Sequence, residues 1–173
     1  MPINCAFNLR RRINNHKQSG FSMLEVLVSI LVISFGLLGM AALVTTGMRS
    51  NNTAYFRSIA TQQTLDIADR MRANLVGARA GNYDALTAVI PVSGDCAATN
   101  CNATQMSIYD HAQWNTANSV LLPGGKGTVT GTLATGFLVT LIWVEKEMGG
   151  VVDPTCPVGT LVNTRCFLTR FSP

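Results

Sequence analysis

The string Lys17-Gln18-Ser19-Gly20-Phe21-Ser22-Met23-Leu24-Glu25-Val26-Leu27-Val28 is where this chain changes character. Before Gly20 lie Arg10, Arg11, Arg12 and Lys17 and no acidic residue. After Glu25, residues 26–48 run without a single charge, and no proline interrupts them. A helix crossing a bilayer core needs about 20 such residues. A basic tail ahead of an apolar run is retained on the cytoplasmic side. Glu25 stands at the mouth of this run, where an unpaired carboxylate costs roughly 2.5–3.5 kcal/mol to insert. A helix N-terminus favours a carboxylate. A cut after Gly20 would add a stronger partner, the new α-ammonium of Phe21, about one helical turn away. Glu25 could meet that amine in its own chain or, among parallel staggered helices, in a neighbour. The residues leave both pairings open.

The same string resembles the type III signal of type IV prepilins and type II secretion pseudopilins. That signal is a basic leader ending in Gly, then an aromatic residue or Met, then Glu at the fifth position after the cut and a long apolar run. All are in register here. The resemblance implies that a prepilin peptidase, an aspartyl protease of the inner membrane, cleaves between Gly20 and Phe21 and N-methylates Phe21. It implies that Glu25 is the assembly and docking residue, paired between subunits. Within the family the chain looks most like PilV-type minor pilins. The carriers are the start Gly20-Phe21-Ser22-Met23-Leu24-Glu25, then Gln62, Gln63, Asp69 and Arg72, the Leu122-Pro123-Gly124-Gly125 turn and the strand with Trp143. The likeness is strong over residues 17–76 and loose beyond. The first helical turns lack the proline that major pilins often carry.

The resemblance implies a structural, non-enzymatic subunit that helps prime type IV pilus assembly, with effects on adhesion and twitching motility. The implied partners are other major and minor pilins through the N-terminal helix, the prepilin peptidase and the inner-membrane assembly platform. The implied location is the inner membrane with a periplasmic C-terminal domain, then the pilus at the cell surface. Rival expectations are a minor pseudopilin of a type II secretion system and a membrane-tethered periplasmic binding module. An ordinary signal anchor would leave Glu25 incidental, and a secretory signal peptide fits less well, because the apolar stretch exceeds the usual 7–15 residues and continues as helix.

Composition agrees. Charged residues make up 13% of the 173, against about 25% in an average soluble domain. The net charge of +4 belongs to the tail, since nine basic and nine acidic residues follow Gly20. No nucleic-acid surface is expected.

Helical periodicity continues after Met48 in amphipathic form, with Ala60, Ile67, Met71 and Leu75 near one face. This predicts one helix over residues 21–76, roughly 84 Å long, stopped by Gly77 and Gly81. Residues 77–103 read as loop. A shorter helix is expected from an N-cap at Thr104 to Leu121, with Met106, Trp114, Ala117 and Leu121 inward. Three strands are expected at 127–133, 137–146 and 165–171, the middle one apolar on both faces and so central. The fold class is α+β: a long N-terminal helix packed on a small antiparallel sheet, as in type IV pilins. The expected divisions are 1–20 as leader, 21–48 as membrane and filament-core helix, and 49–173 as periplasmic globular domain.

Five cysteines are present. Cys5 has no partner in the leader. The other four allow three pairings. The sequence-local pairs Cys96–Cys101 and Cys156–Cys166 are favoured because each closes a short loop at small entropic cost, and stapled loops also recur in pilins. A structural zinc site is the rival, though the second gap suits it poorly. No metal, cofactor or catalytic residue is expected. His16 lies in the leader, and His111 is expected at the surface. Asp66, Asp69 and Arg70 are expected on a solvated face. Gly124-Gly125-Lys126-Gly127 lacks the spacing and following helix of a phosphate loop. Trp114 and Trp143 are expected in the core.

Overall fold

The computed structural model describes residues 20–172. Most of the expected leader, with Cys5, His16 and its four basic residues, lies outside the described residues. The chain divides into two compact units, Met1–Thr45 and Thr46–Pro173.

The long helix α1 spans Met23–Ala73. It starts two residues later than its apolar pattern predicts, because Ser22 caps it. The Ser22 hydroxyl accepts from the Leu24 N–H at 3.3 Å, and its carbonyl accepts from Val26 at 3.2 Å. Such a cap satisfies an orphan N–H of the first turn. The helix also ends earlier than expected. Asn74 accepts from the Gly77 N–H through its side chain at 3.1 Å and starts a separate short helix, α2, over Leu75–Arg79. Leu75 is consequently half-exposed, not inward.

The second unit holds the core. Ala60, Gln63, Thr64, Ile67, Ala68 and Met71 form the buried stripe of α1, at the spacing of one helical face. A four-stranded antiparallel meander lies in the order β1-β2-β3-β4: β1 (Ala85–Leu86), β2 (Lys126–Thr132), β3 (Gly136–Val144) and β4 (Thr164–Phe171). β3 is the inner strand of the three long ones. Its residues Phe137, Val139, Leu141 and Trp143 are almost wholly buried and cluster with Ile67, Met71, Trp114 and Val129. The two-residue β1 was not apparent in the loop pattern. It is held by pairing to β2 (Ala85 with Thr130, Leu86 with Val129), not by any run of its own.

Helix α3 (Ala103–Leu121) corrects the sequence in two ways. Its N-cap is Asn102, not Thr104. Asn102 and Gln105 form a reciprocal capping box, at 2.9 and 3.0 Å, which satisfies two orphan donors at once. Its inward face is mostly polar: Ser107, Asp110, His111, Asn115 and Asn118 are buried beside Ala112 and Trp114. Of the predicted inward set only Trp114 is fully buried, and Leu121 is exposed.

His111 is therefore not a surface residue; it is 8% exposed, and its Nε2 lies 2.7 Å from the Thr87 carbonyl. Arg70 likewise leaves the solvated face. It donates to Asp66 at 2.9 Å and to the buried Asp110 at 3.3 Å. Burial opposes its charge, but the two carboxylates outweigh that and hold its pKa above the ordinary value. Tyr83 donates to the other Asp110 oxygen at 2.6 Å. Burial and that bond push the phenol's pKa well up, so Tyr83 stays a donor.

Candidate processing and assembly site

The site is one continuous stretch, Gly20 to Glu25, opening onto the apolar part of α1. Gly20 is exposed and lies just before the helix. A Cβ built on it meets nothing within 4 Å. Among the described residues nothing places a demand for glycine there. Phe21 is 83% exposed, so the Gly20–Phe21 peptide is open to an enzyme.

Glu25 falls in the first turn of α1, where the partial positive charge of the helix end favours a carboxylate. Its N–H donates to the Ser22 carbonyl at 3.0 Å. Among the described residues its carboxylate makes no hydrogen bond or ion pair. Ser22-Met23-Leu24-Glu25 has the Ser-x-x-Glu spacing of a capping box, a signal in the sequence that the apolar reading passed over. The box itself is not closed: the Ser22 hydroxyl caps the Leu24 N–H instead of that of Glu25.

The helix beyond Glu25 is built for an apolar medium. Every residue from 26 to 48 is exposed. Its hydroxyls turn inward onto the helix: Ser29 donates to the Glu25 carbonyl, Ser34 to Ile30 and Thr45 to Ala41, each at 2.7 Å. Such bonds spare a lipid-facing helix unsatisfied polar groups. Gly36, Gly39 and Gly47 have open space where a Cβ would sit.

In the second unit the structure joins Cys96 to Cys101 and Cys156 to Cys166. The second bond closes a segment folded along β4. A buried charge cluster that no local pattern foretells pins this segment. Arg165 donates to Glu145 at 2.7 Å and to Asp153 at 3.3 Å, and the Thr53 hydroxyl of α1 donates to the second Glu145 oxygen. These four residues are far apart in sequence, and no local spacing links them. Among the described residues no cluster of His, Cys, Asp and Glu is arranged to hold a metal ion.

Residues 15–41 match the family described as the prokaryotic N-terminal methylation motif. No curated protein and no solved structure matches the chain. The motif, the apolar helix and the antiparallel sheet together support a class: a type IV pilin-like prepilin, a structural subunit of the pilin or pseudopilin kind. The motif implies processing by a prepilin peptidase and assembly with other pilins, and the apolar helix fits membrane anchoring before assembly.

Proposed function

We propose that this chain is a PilV-type minor pilin that helps prime and assemble type IV pili. Cleavage falls between Gly20 and Phe21, and Phe21 carries the N-methyl group. Residues 21–48 anchor the subunit in the inner membrane and then pass into the filament core. Residues 49–173, with both disulfides, form the periplasmic domain that ends on the pilus surface.

The observation that carries the assembly role is Glu25 itself. Among the described residues its carboxylate has no side-chain partner, while it stands at the head of an exposed apolar helix. In hydrocarbon such a charge persists only when paired. The α-ammonium created at Phe21 of a neighbouring, staggered subunit supplies that pair and makes docking selective.

The test is recovery of the subunit in sheared pili, with mass spectrometry of its N-terminus. Glu25→Ala should be cleaved normally yet be depleted from the filament fraction. Incorporation at the wild-type level would sink the docking role. Absence of the wild-type chain from pili, with recovery in a secretion complex, would move the assignment to a minor pseudopilin.

A further inference from the structure

We propose that one end of the second unit, built from the Cys156–Cys166 loop, the C-terminal end of β3 and the start of β2, is a lipid-binding surface that rests on an anionic bilayer. The proposal rests on the reading of residues 26–48 as a membrane anchor.

Position comes first. β3 ends at Val144, and Glu145 next to it accepts a hydrogen bond from Thr53 of α1. The charge-free run ends at Met48. Thr53 therefore stands about 7.5 Å farther along the helix. That is close to the depth of one headgroup layer, since a bilayer of about 40–45 Å has a hydrocarbon core of about 30 Å. The antiparallel register sets Lys126 of β2 opposite Ile142. The Val144 N–H donates to Pro123 at 2.8 Å, which brings the turn after α3 to the same end.

Next comes what this end displays. The loop carries Val158 at 107% and Leu161 at 80% exposure, with Val162 also exposed, and Val151 is exposed ahead of it. Between loop and sheet runs a groove of about 390 Å³, walled by Ile142, Val144, Val158 and Leu161 with Lys126 beside them. Apolar side chains this exposed mark an interaction surface.

Charge selects the partner. The acids nearest the loop, Glu145 and Asp153, are buried and held by Arg165. Lys126 and Lys146 are exposed, and so is Arg49, directly after the apolar run. Glu147 is the exposed acid beside them. Basic heads around apolar tips suit an interface where stems enter the acyl boundary and charges meet phosphates. Each basic residue near an anionic surface adds about fivefold to binding. The end of the charge-free run at Met48, five residues before Thr53, and this positive charge favour a bilayer over a second copy of the chain, whose matching face would carry the same charge.

The experiment is hydrogen exchange on the full chain in nanodiscs, comparing phosphatidylcholine with a phosphatidylglycerol mixture. Amides of residues 156–162 should exchange about fivefold or more slowly in the anionic discs. The joint change Lys126→Gln and Lys146→Gln should remove that lipid dependence. Val158→Asp with Leu161→Asp, both at exposed positions, should abolish protection in either lipid. Residues 26–48 should stay protected throughout. Equal exchange of 156–162 in both lipids and in detergent, with 26–48 protected, overturns the surface and leaves the anchor standing. Protection that grows only with the number of copies per disc assigns the surface to a neighbouring subunit and also overturns it. Fast exchange at 26–48 overturns the anchor, and the proposal with it.

Discussion

Asn115 pairs with both backbone groups of Gly127. Its Oδ1 accepts from the Gly127 N–H at 2.7 Å, and its Nδ2 donates to the Gly127 carbonyl at 3.1 Å. A helix side chain thus completes the edge of β2 where the short β1 does not reach. Asn115→Ala would leave a buried donor and a buried acceptor unpaired, each costing about 1–3 kcal/mol. The expected loss is about 2–4 kcal/mol in denaturant unfolding of the full chain. Thr116→Ala, one residue away and exposed, should change little.

The residue next to Asn115 explains why position 127 is glycine. A Cβ there would lie 2.3 Å from the Trp114 ring. Trp114 cannot easily yield, because its indole N–H donates to the Gln63 carbonyl at 2.8 Å. Gly127→Ala should cost about 1–3 kcal/mol by overpacking. In a Trp114→Phe background, measured as a double-mutant cycle, the penalty should shrink. An unchanged penalty would show that the indole is not the obstacle.

These two residues also mark how far sequence reasoning reached. The long helix, the meander and the central place of β3 all follow from apolar periodicity, because Phe137, Val139, Leu141 and Trp143 are buried by the same pattern that predicts them. The face of α3 does not follow, because its stripe is polar. Asp110 is buried for Arg70 and Tyr83, His111 for Thr87, and Asn115 for Gly127. Each partner is distant in sequence, so nothing local predicts the burial. The methylation motif over residues 15–41 is legible for the opposite reason: it is carried by spacing within a few residues.

Acid should loosen the Cys156–Cys166 segment before the rest. Burial alone would raise the Asp153 pKa. Hydrogen bonds from the Thr155 N–H and hydroxyl, with the Arg165 ion pair, outweigh it and hold the carboxyl below its usual 3.8. A depressed folded-state pKa gives stability that is present above the unfolded value and lost as pH falls through the folded one. Arg165 keeps its charge across this window, its pKa being raised foremost by the hydrogen bond to Glu145. Thermal unfolding at pH 6 and below pH 3 should show a drop that is smaller in Asp153→Asn, which is already weaker at pH 6. Parallel pH profiles for the two proteins would refute the assignment.

The second disulfide should matter more than the first. In the chain-entropy model its loop is worth about 3 kcal/mol, against about 2 for the shorter Cys96–Cys101 loop. It is also tied into the charge cluster, since the Cys156 N–H donates to the Asp153 carbonyl at 2.9 Å. Replacing Cys156 and Cys166 by Ser should lower the unfolding midpoint more than replacing Cys96 and Cys101. Its effect should also be non-additive with Asp153→Asn, because the two share one network. Strict additivity would mean that the bond and the cluster act separately.

Gly20 separates a demand of the fold from a demand of an enzyme. Among the described residues no atom lies near the place where its Cβ would sit, and it precedes the Ser22 cap, so no described element depends on it. Gly20→Leu should therefore leave helix content and the unfolding midpoint unchanged. A peptidase that must approach the backbone closely would still be blocked by the added side chain. The variant should then keep its basic leader, with Arg10, Arg11, Arg12 and Lys17 attached, and stay in the membrane fraction. On the proposed pairing it should also lose assembly, because Phe21 never gains the ammonium group proposed to meet Glu25. Intact-mass measurement checks this directly. A normal mature N-terminus in Gly20→Leu would sink the proposed cleavage requirement, whereas a retained leader with normal incorporation into pili would sink the role of the new ammonium.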